Sequence, residues 1–356
     1  MRLLIAGGGT GGHLYPALAV ARAFRAEEPD GAVLLVGRSG GPEERLVPAA
    51  GFELATVNVR GLDRDAPWKN IALPALLPAS LGAGLRIVDR FRPDVVLGMG
   101  GYVMAPAVAA ARMRGIPYVL HEKDVRPGLA TRMFAGGAAV ICTTLPGTEK
   151  RLAGHRIELT GVPLREGFTP RIPEVPPRRL LITGGSQGAR NLNQAVWSAL
   201  DALCARFEEV IHLAGRQGAA GVAQHARVRY SGMGFTDDMA GLMSGADLIV
   251  GRAGVGTIAE ATAVGLPMVL VPGTFGGGHQ EENAAAMVDA GAAVRLADAE
   301  LTGATLVATI AGLDDDRLRA MAKASASSGR RDAAVRVLAV LREVAKQPGA
   351  RRALEP

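Results

Sequence analysis

Short, uninterrupted apolar runs recur along the chain at Leu3–Ala6, Val33–Val36, Asp94–Leu97, Tyr118–Leu120, Val140–Cys142, Leu180–Thr183, Val210–Leu213, Leu248–Val250 and Met268–Val271. Runs this short, without polar alternation, suit strands buried on both faces. Between them, segments such as Pro16–Ala26 and Leu192–Cys204 repeat apolar residues at helical spacing. The alternation predicts βαβ units and an α/β fold of mostly parallel, doubly wound sheets covered by helices on both faces. Pro163, Pro170, Pro173, Pro176 and Pro177 cluster just before the run at Leu180, marking a boundary. We therefore expect a domain over 1–162, a linker and hinge over 163–177, and a second domain over 178–332.

The length of 356 residues agrees with two domains, at about 150 residues each. A charged fraction of 21% with 48% hydrophobic residues excludes a largely disordered chain. The 47 glycines follow no three-residue period, which excludes collagen. Cys142 and Cys204 are the two cysteines, too few for a disulfide framework or a structural zinc site, so a reducing compartment is expected. The uncharged stretch from Ile71 to Leu85 has 15 residues and contains Pro74 and Pro78, where a spanning helix needs about 20 apolar ones. No membrane-spanning segment is predicted.

Charge is distributed unevenly. Residues 1–164 carry 19 Lys and Arg against 14 Asp and Glu, residues 165–332 carry 16 against 18, and the remainder 5 against 2. The basic ends suit an anionic partner, nucleic acid or lipid, and charge alone does not choose between them.

The two halves open alike. Leu3-Leu4-Ile5-Ala6-Gly7-Gly8-Gly9-Thr10-Gly11-Gly12 is echoed by Leu180-Leu181-Ile182-Thr183-Gly184-Gly185-Ser186-Gln187-Gly188. A strand that breaks into glycines before a helix lets the backbone approach a ligand and offers free N–H groups to an anion such as phosphate. Gly7, Gly9 and Gly12 satisfy the dinucleotide spacing, but the second strand ends in Val36-Gly37-Arg38 with no acidic residue for a ribose, which disfavours a nicotinamide cofactor. The P-loop reading fails because His13 follows Gly12 where Lys is needed. A third turn of this kind is Arg252-Ala253-Gly254-Val255-Gly256-Thr257, after Leu248–Val250.

These motifs, together with Gly98-Met99-Gly100-Gly101-Tyr102, His121-Glu122, Gly161-Val162-Pro163-Leu164-Arg165 and His279-Gln280 with Asn283, stand in one order. In that order the chain resembles glycosyltransferase family 28, in the branch that moves N-acetylglucosamine from UDP onto lipid I, the undecaprenyl-linked muramyl-pentapeptide. The resemblance runs over roughly residues 2 to 345 and implies the GT-B architecture, two Rossmann-like domains facing a cleft, with acceptor and membrane on the first and donor on the second, and with a last helix, Asp332 to about Ala345, carrying the C-terminal stretch 333–356 back onto the first. It implies an inverting transfer to the C4 hydroxyl of the muramyl residue, giving lipid II and UDP for peptidoglycan synthesis.

For the donor, the resemblance implies contacts from Gly185, Ser186, Gln187 and Gly188, and from Arg252, Gly254, Val255, Gly256 and Thr257. Glu260 would accept the two ribose hydroxyls, and Gln280 would bind donor-sugar hydroxyls beside His279 and Asn283. Thr10, Gly11, Gly12, Asp124 and Arg165 complete the implied set. Two helix starts suffice to hold the diphosphate, so no cofactor and no obligatory metal are expected. For the acceptor, His13 is the first candidate for general base, because a neutral imidazole accepts a proton near pH 7; it equally suits binding of the acceptor's diphosphate. Tyr102 and Glu122 are the other candidates. Trp68, Ile71, Leu73, Leu76 and Leu77, flanked by Lys69 and Arg86, have the composition of an interfacial segment. Peripheral binding to the anionic cytoplasmic face of the cell membrane is therefore expected, alongside cell-wall synthesis or division proteins and without nucleic acid.

The chain departs from the family's pattern in places. His121-Glu122-Lys123-Asp124 stands where His-Glu-Gln-Asn is usual, Ala253 where Ser is usual, and Gly256 where a larger residue is usual. Alternative readings are another GT-B enzyme using a UDP-sugar, either a UDP-N-acetylglucosamine 2-epimerase or a diacylglycerol glucosyltransferase, and a non-catalytic membrane-associated nucleotide-sugar sensor.

Overall fold

The computed structural model describes residues 1–61, 73–225, 227–274 and 278–346. The chain divides into two compact units, Met1–Arg165 together with the chain from Asp332 onward, and Glu166–Arg331.

In the first unit, β1 (Arg2–Ala6), α1 (Gly11–Glu27), β2 (Ala32–Arg38), α2 (Glu43–Ala49), β3 (Glu53–Val57), α3 (Leu73–Phe91), β4 (Val95–Gly98), α4 (Ala105–Met113), β5 (Tyr118–Glu122), α5 (Leu129–Phe134), β6 (Val140–Thr143) and β7 (Ile157–Leu159) follow in chain order. The strands pair in parallel as β3-β2-β1-β4-β5-β6-β7. Leu3, Leu4, Ile5, Val95, Val96 and Leu97 are fully buried, because both faces of the sheet are covered.

The second unit runs through β8 (Arg179–Thr183), α6 (Arg190–Ser198), α7 (Leu200–Arg206), β9 (Glu209–Leu213), α8 (Ala219–Val222), β10 (Tyr230–Met233), α9 (Met239–Gly245), β11 (Leu248–Gly251), α10 (Val255–Val264), β12 (Met268–Leu270), α11 (His279–Asp289), β13 (Ala293–Arg295), α12 (Gly303–Ala311) and α13 (Asp315–Ser328). Its strands pair in parallel as β10-β9-β8-β11-β12-β13. The final helix, α14 (Ala333–Ala345), returns to the first unit. There Val337, Leu338, Leu341 and Val344 join one core with Leu3, Ile5, Leu14 and Phe24. Arg342 pairs with Glu28 at 2.8 Å, and Arg156 with Glu343 at 2.8 Å, at the rim of that contact.

All nine strands anticipated from apolar runs are present, with ends shifted by a residue or two. The four further strands, β3, β7, β10 and β13, are the four sheet edges. The helix expected over Leu192–Cys204 is instead two helices that break at Ala199. Ser198 Oγ bonds back to Ala195 O at 3.0 Å, and Gly303 of α12 packs against this break with no room for a side chain beside Ser198 Oγ. Of the proline-rich stretch 163–177, the residues from Glu166 cluster with the second unit. They are strapped to it by buried Asp247, whose carboxylate accepts from the Arg171 guanidinium and, at 3.0 Å each, from the N–H groups of Glu174, Arg178 and Arg179.

Candidate active site: a glycine-loop region in each unit

In open α/β sheets, ligands bind beyond the carboxyl ends of the strands where the strand order reverses. That point lies between β1 and β4 in the first sheet and between β8 and β11 in the second. The glycine turns singled out in the sequence follow these four strands.

In the first unit, Gly7 packs so closely on Met99 that no side chain fits between them, and Gly9 takes φ +79°, a conformation glycine adopts without strain. The Gly9 N–H donates to Glu43 Oε1. Glu43 is fully buried, its other oxygen has no hydrogen-bond partner, and Gly8, Gly37 and Gly41 crowd it so closely that a Cβ on any of them would collide with its side chain. Nothing in the sequence pattern singles it out, since Glu43 opens a short helix among other polar residues. Thr10 is the N-cap of α1 but its side chain makes no cap bond; its hydroxyl lies 3.0 Å from His13 Nδ1. Gly11 and Gly12 are exposed in a first turn that has no acidic residue.

The His13 ring lies beneath Gly100 (φ +85°) and Gly101 (φ +69°), whose missing side chains make room for it. Burial pushes the His13 imidazole down to about 3, with the nearby charges of Lys123 and His121 adding to the shift. The Lys123 ammonium is half-buried, and a Cβ placed on Gly12 would lie 3.0 Å from its Nζ. Tyr102 is half-buried with its hydroxyl against Gly9. Arg165 lies over the Tyr15 ring at 4.8 Å, and Tyr15 in turn flanks Gly11.

Two residues of the third strand end have internal tasks. His121 is buried and donates from Nε2 to Gly161 O at 3.0 Å, with burial pushing its imidazole down to about 4. Glu122 is 4% exposed, and its two oxygens accept from Asp124 N at 3.1 Å and Gly128 N at 3.0 Å, so this carboxylate clamps the loop after β5. Burial holds it above the usual carboxylate range.

In the second unit, Gly185 (φ +82°) and Gly188 (φ +86°) shape the turn after β8, and Ser186 and Gln187 are exposed on it. A Cβ on Gly188 would collide with the Ala214 carbonyl oxygen. The N-cap of α6, Ala189, and the N-cap of α10, Gly254, bring no side-chain bond, and neither helix has an acidic residue in its first turn. Open space surrounds the α-carbons of Gly185, Gly254 and Gly256. Two helix N-termini therefore present N–H groups and partial positive charge side by side at the switch point. Val255 is buried and Thr257 half-buried within the first turn of α10, and Glu260 is half-buried one turn further on.

Three of the expected donor contacts are engaged within the fold. Arg252 is 8% exposed; its Nη1 pairs with Asp298 Oδ1 at 2.6 Å and donates to Val271 O at 3.2 Å. Asn283 is fully buried and donates to Ala253 O at 3.2 Å. Gln280 Oε1 accepts from Gly273 N at 2.8 Å. They brace the turns after β11 and β12, while half-exposed His279 opens α11 beside them.

Among the described residues no group of three or more His, Cys, Asp or Glu side chains is placed to hold a metal ion, and no helix is long and apolar enough to cross a membrane. Trp68 and Ile71 lie outside the described residues, and Leu73 opens α3. Helix α3 meets α4 at Gly84, which lies against Pro106 O; in the turns before that contact Leu76 is half-buried and Leu77 is 65% exposed.

Family models agree with this division of the chain. Residues 3–143 match the glycosyltransferase family 28 N-terminal domain, and residues 179–337 match the family's C-terminal domain. A UDP-N-acetylglucosamine--N-acetylmuramyl-(pentapeptide) pyrophosphoryl-undecaprenol N-acetylglucosamine transferase of Nocardioides sp. is 40% identical, over 99% of this chain and 100% of its own length. A protein of the same name from Desulforudis audaxviator is 40% identical over 97% of this chain and 99% of its own length. Among solved structures, Acinetobacter baumannii MurG superposes with a TM-score of 0.79 at 26% identity, covering 96% of this chain and 99% of that one.

Proposed function

The chain belongs to glycosyltransferase family 28, with the GT-B fold, and from that premise we propose how its residues carry out the family's transfer. The enzyme moves N-acetylglucosamine from UDP-N-acetylglucosamine to the lipid-linked muramyl pentapeptide, lipid I, forming lipid II in peptidoglycan synthesis. The bond between the sugar C1 and the UDP oxygen breaks, and the muramyl C4 oxygen bonds to C1 from the opposite face. That hydroxyl's proton goes to a base, and UDP leaves.

The observation that carries the donor side is the pair of uncapped helix N-termini after β8 and β11. Their N–H groups, with the Ser186 hydroxyl and the backbone of Gly185, Gln187, Gly188, Gly254, Gly256 and Thr257, suit a diphosphate whose charge grows as the bond breaks. Glu260, one turn along α10, has two oxygens to offer the ribose diol. Arg252, Gln280 and Asn283 hold these turns in place.

On the acceptor side, the start of α1 with Lys123 and His13 is suited to the diphosphate and the reacting hydroxyl of lipid I. In the free protein burial holds His13 neutral, and the Lys123 charge, which adds to that shift, is what a bound diphosphate would offset. Acceptor binding thus moves His13 upward, toward the range of an effective base. Glu122, with both oxygens committed to its own loop, serves as a loop anchor, and Tyr102 packs the glycine turn.

The membrane-facing element in this reading is the start of α3, with Leu76 and Leu77 ahead of the cationic Arg86, on the cytoplasmic face of the membrane. L76D with L77D should reduce binding to anionic vesicles, with UDP binding intact; unchanged vesicle binding would place the membrane contact elsewhere.

The function is tested by incubating the protein with UDP-N-acetylglucosamine and a lipid I analogue. UDP release that requires acceptor, with a β-1,4-linked product, is expected. Epimerisation or UDP release without acceptor would point to another GT-B chemistry, and binding without turnover to a sensor.

A further inference from the structure

Inside the second unit, between α6, β9 and β10, lies a buried polar chain that the proposed chemistry does not use. His212 on β9 is completely buried, with Nε2 at 3.0 Å from Asn193 Oδ1 and Nδ1 at 2.9 Å from the Tyr230 hydroxyl. Asn193 Nδ2 donates to Ala214 O at 2.8 Å, and Trp197 Nε1 donates to the Tyr230 hydroxyl at 3.1 Å. The direction of every bond follows from Ala214 O, which only accepts. Asn193 must give its amide hydrogen there, so its Oδ1 faces His212 as an acceptor and Nε2 carries the ring proton. Nδ1 is then the acceptor for the Tyr230 O–H, and Tyr230 accepts from the indole. Trp197 closes the outer end, stacked on His225 at 4.7 Å.

The inner end of the chain is the informative one. Ala214 O is the atom on which Gly188 rests, and Gly215, the next residue, packs on the Gly188 backbone. Beyond it Arg216 N donates to Ser186 O at 3.3 Å. The segment Ala214–Arg216 is therefore the seat of the turn Gly184–Gly188, and Asn193 fixes the orientation of its first carbonyl. We propose that Trp197, Tyr230, His212 and Asn193 form a positioning relay that sets the turn Gly184–Gly188 for the UDP diphosphate, a role that rests on the reading of that turn as the phosphate site. A packed apolar cluster would fill the same space; a directed chain of hydrogen bonds also fixes which way the Ala214 peptide faces. Burial pushes His212 down to about 4, so the ring keeps this proton arrangement throughout the neutral range.

The two ring nitrogens can be separated by substitution. H212Q places an amide donor near the Nε2 position and retains the link to Asn193, whereas H212N reaches Tyr230 alone. N193D keeps an acceptor for His212 but sets a carboxylate oxygen against Ala214 O. UDP affinity is measured by equilibrium titration, and KM for each substrate by turnover, at temperatures where thermal melts show each variant folded. N193D should weaken UDP and raise the donor KM about ten-fold, the size expected for one buried bond left unmade, with acceptor KM unmoved. H212Q should stay within about two-fold of the parent protein, with H212N clearly weaker, since Asn193 is the link to the turn. A drop in Tm with UDP affinity unchanged in all three would overturn the proposal and leave the relay a stability element. Equal losses in H212Q and H212N would overturn the route through Asn193. G185A, which strains the turn itself at φ +82° without a clash, is the control. If it leaves UDP affinity unchanged, the phosphate reading fails and the proposal falls with it; if it weakens UDP while the relay variants do not, the proposal alone fails.

Discussion

At the residue scale, the first candidate base has a different character in the fold from the one its type suggests. An ordinary imidazole titrates near pH 6.5, but His13 is held at about 3 chiefly by burial, with the Lys123 charge and the neighbouring His121 adding to the shift. A group that weak removes a hydroxyl proton poorly, so its usefulness depends on what binds beside it. A diphosphate near Lys123 reverses the electrostatic part of the shift. The acid limb of the kcat profile, which reports the loaded enzyme, should therefore lie at higher pH than the acid limb of kcat/KM for the acceptor, which reports the free one. Initial rates from pH 5 to 9 check this; H13A retaining the limb, or a flat kcat profile, would assign the base elsewhere. The sequence identified His13 through its place after the glycines. Lys123 was visible only as a departure from the family's pattern, and Glu43 was not visible at all. A buried carboxylate that binds one peptide N–H has no spacing or neighbour in sequence to announce it, because its partner Gly9 is 34 positions away.

At the scale of elements, the nine interior strands were legible and the four edge strands were not, for a physical reason. An interior parallel strand needs apolar residues on both faces, which writes an unbroken run into the sequence. An edge strand is half in water. Glu53–Val57 and Ile157–Leu159 accordingly mix charged with apolar residues and read as loop. The strap from Glu166 shows the converse: prolines suggested a free linker, but a residue some seventy positions later ties it down. Asp247 is 2% exposed and satisfies three backbone N–H groups and one guanidinium. D247A should destabilise the second unit by about 3–5 kcal/mol, the cost of breaking a buried, paired charge. Urea unfolding followed by a probe in that unit measures it, and a loss under about 1 kcal/mol would show that the strap is held by other contacts.

At the scale of the whole molecule, the chain's end belongs with its beginning, and both units carry histidines that folding keeps neutral. His13 at about 3, and His121 and His212 at about 4, all lie below the ordinary value of 6.5. In that interval the unfolded chain binds protons that the folded chain does not, so stability is complete above about pH 6.5 and is lost as pH falls toward about 4. Three groups titrating together give a slope of up to about 4 kcal/mol per pH unit, shared between the two units. Glu122, raised by burial, works in the opposite sense and reduces the slope. Urea midpoints at pH 7, 6 and 5 should fall in that order, with net proton uptake on unfolding at pH 5. Equal midpoints would mean that the histidines are not held neutral. Of the two basic chain ends, α14 with Arg336 and Arg342 packs on the first unit.

The sequence by itself determined the α/β class, the strands buried on both faces, the glycine turns at the points where strand order reverses, and the family. Each is encoded locally, in a run, a spacing or a motif order, because burial on two faces and close backbone approach restrict residue type position by position. Only the tertiary structure decided which polar residues are bonded within the fold and to what. Arg252 and Asn283 read as donor contacts and Glu122 as a candidate base, whereas in the fold Arg252 and Asn283 bond to groups distant along the chain and Glu122 bonds to the loop after its own strand. The charge state of His13 and the hydrogen-bond direction through His212 were decided there too, since both depend on desolvation and on neighbours that are distant along the chain.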